Sequence, residues 1–211
     1  MSFCLSKLRI VKIMKHKLCI DFCSGLKGFS IAFIEDVDWE VITVDIEIKF
    51  NPTICKDIRK VTVGEIYREA SILMSEYDQI VILASPPCER FSIAPHVWPL
   101  PGVGRSLEIV GAILELIIAI KPNYWCLENP GNGLLRWFIG KPAIRIRLNV
   151  FGYKTVKPTG LWGNIPIGLI NDSPRKNKDK NAFANFASKR SDIRAKLPHG
   201  LSDALLKGVS E

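Results

Sequence analysis

Apolar positions fall into two alternating patterns over roughly the first 150 residues. One is the short continuous or strictly alternating run of a strand. The other is the three-and-four spacing of a helix with one buried face. The run 18–22 (LCIDF) reads as a strand ending at Ser24-Gly25, and 29–35 follows with helical spacing. β-Branched residues alternate through 39–45, Pro52 breaks the chain, and 63–75 reads as a helix. QIVILA at 79–84 is a buried-strand run stopped by Pro86-Pro87, and 106–120 is an apolar helix stopped by Pro122. Residues 124–127 make another strand, followed by a turn at Asn129-Pro130-Gly131. Strands separated by helices predict an α/β fold with a mostly parallel, doubly wound sheet. In such sheets ligands gather at the carboxyl ends of the strands.

The residues standing at those ends are chemically specific. After the first strand comes Asp21-Phe22-Cys23-Ser24-Gly25-Leu26-Lys27-Gly28, a turn of small residues that lets a ligand approach the backbone. The second strand ends at Asp45, 24 residues beyond Asp21, about where this fold class binds ribose hydroxyls. Together they suggest a cofactor containing adenosine. The QIVILA strand leads into Pro86-Pro87-Cys88-Glu89-Arg90-Phe91-Ser92. Two prolines stiffen the chain and present Cys88 at the sheet edge, with Arg90 a candidate for stabilising its thiolate. The next strand ends in Glu128-Asn129-Pro130, which brings a carboxylate to the same edge.

Composition bounds these readings. The chain has 211 residues, 47% of them hydrophobic and 24% charged, which suits one globular domain and excludes collagen-like, coiled-coil or wholly disordered chains. No apolar run approaches the ~20 residues of a membrane span, and the longest, 109–120, is broken by Glu115. The basic start, 1–17, has no apolar core of a signal peptide. Six scattered cysteines without a CxxC read as reduced thiols, so the expectation is a cytoplasmic protein with no membrane partner. His16, His96 and His199 share no ligand spacing, and no metal is expected. The net charge is +8, and residues 141–196 hold 13 Lys/Arg against three acids. That surplus fits a solvated loop or a surface facing a polyanion.

In their order, these segments resemble the C5-cytosine-specific DNA methyltransferases that use S-adenosylmethionine, from residue 18 to about 159 and again near the C-terminus. Pro86 to Ser92 is similar to that family's Pro-Cys-Gln-x-Phe-Ser nucleophile motif, and Glu128-Asn129-Pro130 to its Glu-Asn-Val element. The resemblance implies a Rossmann-like methyltransferase fold, catalysis by Cys88 and Glu128, and no metal. It implies S-adenosylmethionine on Asp21, Cys23, Ser24, Gly25, Leu26, Gly28, Asp45, Ile46, Asp57, Ile58 and Pro87. Glu89, Arg90, Ser92, Asn129, Lys157 and Thr159 would meet the substrate, and 91–104 would close over a cytosine flipped from the stack.

This chain also departs from the pattern. Lys27 stands where a glycine is usual, and Thr155, Lys157 and Thr159 replace a Gln-x-Arg-x-Arg element. Lys157 is a point charge without the guanidinium fork. Only a short basic insert, 160–188, occupies the place of a target-recognition domain, before a closing element at 189–211 in which Ser202 is the expected helix N-cap. The expectation is thus one catalytic domain, 1–211, of the compact kind found in phage or archaea, with a basic arm at 1–17. It would act on DNA, with loose specificity or with specificity supplied by a protein partner. The alternatives are the same chemistry on RNA such as tRNA, or on a free cytosine nucleotide, and an inactive cofactor- or nucleic-acid-binding module. Trp162 reads equally as core or as a base-stacking platform.

Overall fold

The structure, a computed structural model, describes residues 16–91, 102–164, 166 and 196–211. Seven strands form one sheet in the order β3-β2-β1-β4-β5-β7-β6. They are β1 (Lys17–Phe22), β2 (Trp39–Asp45), β3 (Ile54–Cys55), β4 (Gln79–Ala84), β5 (Tyr124–Pro130), β6 (Ile144–Arg147) and β7 (Pro158–Gly163). The helices are α1 (Ile31–Glu35), α2 (Val63–Glu69), α3 (Val103–Ile120) and α4 (His199–Ser210). β1 lies parallel between β2 and β4, and β5 continues the parallel set, whereas β7 runs antiparallel between β5 and β6. The expected α/β sheet is therefore present and mostly parallel. Its order reverses between β1 and β4, and such a switch point opens a crevice at the carboxyl edge.

Alternation along the central strands supplies both faces of the core. Leu18, Ile20 and Phe22 of β1 and Ile82 of β4 join one cluster with Val110, Ile113 and Ile117 of α3. Cys19, Val81 and Leu83 face the other cluster, with Phe33 of α1 and Leu201 and Leu205 of α4. Burying Leu201 and Leu205 contributes ~1.5–3 kcal/mol each, and this anchors the C-terminal helix across some 170 residues of sequence. None of the helices among the described residues is long and apolar enough to cross a membrane.

Four local expectations need correction. The helix expected over 63–75 starts as predicted, with a Thr62/Glu65 capping box, but ends at Glu69. Glu40 on β2 captures the Ser71 N–H at 2.9 Å and also accepts from the Ser71 and Tyr77 hydroxyls, which turns the chain away from the helix axis. The turn expected at Asn129-Pro130 is strand instead. β7 pairs with β5 through Pro130↔Thr159, a partner far off in sequence that local pattern could not supply. The same strand, β7, takes residues 160–163 from the expected basic insert. Finally, α4 begins at His199, so Ser202 is internal rather than the N-cap. It is fully buried, where its Oγ accepts from the Ala32 N–H at 3.0 Å and donates to the Phe29 carbonyl at 2.8 Å.

The basic arm overlaps the described residues only at 16–17, and Lys17 already belongs to β1. Residues 1–15, the basic run 175–180 and most of the 160–188 insert lie outside the described residues.

Candidate active site

Two groups of side chains meet at the carboxyl edge on either side of the switch point. The first is built on the turn after β1. Cys23, Gly25 and Lys27 all have left-handed backbone there, with φ of 56°, 48° and 55°. The turn is held by the Ser24 N–H on the Val44 carbonyl at 3.1 Å and by the Lys27 Nζ on the Asn51 carbonyl at 2.8 Å. Asp45 grips it from the end of β2. Its Oδ2 accepts the Gly25 N–H at 2.8 Å and its Oδ1 accepts the Glu47 N–H at 2.9 Å. Each carboxylate oxygen keeps a lone pair for a further donor.

This turn has one open face. Among the described residues, a Cβ on Gly25 would meet nothing within 4 Å and the buried Ser24 hydroxyl has no partner, while Leu26 and Ile46 are 40% and 62% exposed. Apolar side chains beside a fixed carboxylate and an unpaired hydroxyl fit a nucleoside, whose base and ribose need both kinds of contact. The residues present therefore suit the adenosine part of S-adenosylmethionine.

Other expected cofactor residues serve the protein itself. A Cβ on Gly28 would lie 2.5 Å from the Leu197 carbonyl, so the segment before α4, rather than a ligand, requires glycine there. Asp21 lies beneath the turn, fully buried, with Oδ2 accepting from the Ser30 hydroxyl at 2.6 Å; burial pushes its carboxyl up to about 7. Asp57 caps the short turn 58–60 and is clasped by Arg59, whose Nε lies 3.0 Å from Oδ1, which holds the carboxyl down at about 2. Arg59 also reaches Glu108 of α3 at 2.9 Å. Ile58 belongs to the core cluster beneath.

The second group surrounds Cys88. Pro86 is buried, and its carbonyl accepts from the fully buried Asn129 side chain at 3.1 Å, which ties the end of β4 to the end of β5. Pro87 is exposed, as are Glu89 and Arg90. The Phe91 N–H donates to the Cys88 carbonyl at 3.0 Å, and Phe91 itself is fully buried. Cys88 thus stands on a tight turn pinned at both ends. Ser92 and most of the expected closing loop lie outside the described residues, while Phe91 is core and Val103 already begins α3.

Glu128 is the buried acid of this group, 6% exposed. Lys157 Nζ lies 4.0 Å from its Oε1, which has no hydrogen-bond partner among the described residues, and the Thr159 hydroxyl, which donates to the Lys157 carbonyl at 3.4 Å, also favours the charged carboxylate. Burial dominates and raises its pKa above the ordinary glutamate value, against the pull of Lys157. The Cys88 thiol is raised too, by burial and then by the Glu128 charge, while Lys157 pulls it back. The cation acting on the thiol is Lys157, not Arg90 as expected from adjacency. Arg90 lies beside Gly102 at the start of α3. Cys88, Glu128, Lys157 and Thr159, from three separate segments, are thus one electrostatic unit.

Some residues escaped the sequence reading. Arg59 could have been found from its two-residue spacing to Asp57, and Arg136-Trp137-Phe138 from the juxtaposition of a cation and two aromatics. Leu197 had no local signal. Trp162 resolves to core: it is 5% exposed, with Nε1 donating to the Gly140 carbonyl at 2.9 Å. Among the described residues no group of His, Cys, Asp or Glu is placed to hold a metal ion. Neither a scan of protein-family models nor a search of curated proteins finds a match to this chain.

Proposed function

We propose that this protein transfers a methyl group from S-adenosylmethionine to C5 of cytosine in DNA, through a covalent bond between Cys88 and C6. The observation that carries the reading is a cysteine and a buried glutamate at one edge of the sheet, with Lys157 4.0 Å from the glutamate, beside a turn suited to a nucleoside. The resemblance in sequence supplies the reaction, and the site supplies residues able to perform it.

The chemistry asks for both groups. C5 of cytosine is weakly nucleophilic until a nucleophile adds at C6. Cys88 supplies its sulfur lone pair to C6, and the electron pair of the C5–C6 double bond shifts toward C5 and the ring's N3. Glu128 holds a proton above the ordinary glutamate range and delivers it to N3 as negative charge develops there. Lys157 balances the thiolate and the carboxylate that remains. Bound S-adenosylmethionine supplies an electrophilic methyl group. Asp45 and the 23–26 turn would hold its adenosine, with Asp57 fixed nearby by Arg59. Once C5 has lost its proton to solvent, the C6–S bond breaks. Cys88 leaves as thiolate, and N3 returns its proton to Glu128. In a duplex the base must first leave the stack.

Incubation with labelled S-adenosylmethionine and cytosine-containing DNA, followed by trapping on DNA carrying 5-fluorocytosine, tests the proposal. Label at C5 and a covalent protein–DNA adduct are expected. Cys88→Ala should abolish both, with a rate loss of at least about a thousandfold. Absence of both from the intact protein would overturn it. A panel of duplex DNA, tRNA and dCMP separates this reading from the same chemistry on RNA or on a free nucleotide.

A further inference from the structure

Residues 129–164 contain six Lys/Arg and no Asp or Glu. They form the end of β5, the turns after it, β6 and β7, so a cationic stretch borders Glu128, which takes up only Lys157 of it. Within this stretch stand two aromatic side chains that the core does not take up. Trp137 is 74% exposed and Phe138 is 49% exposed.

Their turn is held firmly. Leu135 is fully buried, the Leu134 N–H donates to the Phe91 carbonyl at 2.7 Å, and a Cβ on Gly133 would meet that same carbonyl at 2.6 Å. The Phe138 ring is 6.5 Å from that of Phe91, three residues beyond Cys88. The Arg136 guanidinium lies 5.3 Å from the centre of the Trp137 ring. An indole left in water costs apolar exposure that folding alone would remove. Here the turn that carries it is fixed against Phe91 of the nucleophile's turn, with the Arg136 guanidinium over the indole. Exposed rings, a guanidinium over one of them and the cations of the segment that follows match the chemistry of unpaired bases and their phosphates. A second copy of this chain would meet the patch with the same positive charge.

We propose that Arg136, Trp137 and Phe138 form a stacking platform for an unpaired stretch of DNA flanking the target cytosine. Lys141, Arg145 and Arg147 take its phosphates. The inference rests on the methyltransferase reading and narrows its substrate to a strand with unstacked neighbours, rather than a free nucleotide.

Binding of fluorescein-labelled oligothymidylate of about a dozen residues, measured by anisotropy without cofactor, tests it. The wild type should bind this single strand more tightly than a dA·dT duplex of equal length. W137A/F138A should lose about tenfold or more with an unchanged salt dependence, and W137F should restore most of the affinity. K141A/R145A should instead flatten the salt dependence. Unchanged binding by W137A/F138A, a preference for the duplex, or a preference for oligouridylate would each overturn the proposal. So would a wild-type dimer that W137A/F138A abolishes, because the patch would then belong to a second copy. The probe contains no cytosine. Failure here therefore leaves trapping through Cys88 untouched, and failure of trapping leaves this binding to be read by itself.

Discussion

Two of the cysteines at the carboxyl edge of this sheet, Cys23 and Cys88, stand in opposite surroundings. Cys23, on the turn after β1, lies near Asp21, Asp45 and Asp57, and these charges join burial in pushing its thiol far above the ordinary range. Cys88, on the turn after β4, feels both Glu128 and Lys157, so one charge raises its thiol and the other lowers it. The contrast extends to the chain around each. Residues 21–57 contain eight Asp/Glu against three Lys/Arg, whereas 129–164 contain six Lys/Arg and no acid. An acid-rich half suits the hydroxyls and cationic centre of a charged nucleoside cofactor, and a cationic half suits phosphates. A thiol becomes a usable nucleophile only where a cation offsets its burial. Of these two thiols, the one so placed is Cys88.

The largest effect should come from the cationic half. In the proposed reaction, Glu128→Gln keeps the shape of the side chain but removes the proton that N3 would receive, so methyl transfer should fall by about 10²–10⁴-fold. Lys157→Met asks a finer question of the same unit. Lys157 favours the charged forms of both Cys88 and Glu128, so its loss should raise both pKa values. Attack needs the thiolate and donation needs the protonated acid, which makes the pH–rate profile bell-shaped. Both limbs should move to higher pH in the lysine variant. A profile that falls in height without moving would mean that Lys157 only packs against the site.

In the acid-rich half the expected losses are smaller and differ in kind. Asp45→Asn puts an amide group against backbone N–H donors that now share a carboxylate. Cofactor affinity measured by calorimetry should weaken about 10–100-fold, while the rate at saturating cofactor stays near that of the wild type. Equal losses in both would break the division between the two halves. Below this half, Ser202→Ala strands the Ala32 N–H and the Phe29 carbonyl in a fully buried position. Urea denaturation should show a loss of ~1–3 kcal/mol.

How much of this could be read from the sequence depends on the distance over which each feature is determined. β2 and β4 were legible to the residue, because their apolar runs and flanking breakers lie within one segment. Cys88 was legible because it follows the apolar run 79–84, and Glu128 because it follows the run 124–127. Features set by partners far along the chain were not. The extension of β5 past Leu127 needs β7, the end of α2 needs Glu40 on another strand, and the glycine at 28 answers to Leu197. Adjacency also misled. Arg90 is two residues from Cys88, yet the cation that lowers the thiol is Lys157, nearly 70 positions away.

The smallest effect lies behind the acid-rich half, where α4 meets α1. His199 is held between Glu35 at 2.8 Å and Asp203 at 2.9 Å, and the two carboxylates raise its pKa, Asp203 the more strongly. A raised folded-state value means that the imidazolium is favoured by folding. The stabilisation is therefore fully present below the unfolded value, near 6.5, and is lost as pH rises through the folded one. His199→Gln keeps a hydrogen-bonding side chain without the charge. The Tm difference between wild type and variant should be largest below about pH 6 and shrink at higher pH. All three groups are about half exposed, so added salt should reduce the difference further. A gap that grows with pH would show that the neutral ring, not the ion pairs, joins the two helices. Cofactor affinity should not follow this gap, because the turn at Gly25 is gripped by Asp45 and not by α4.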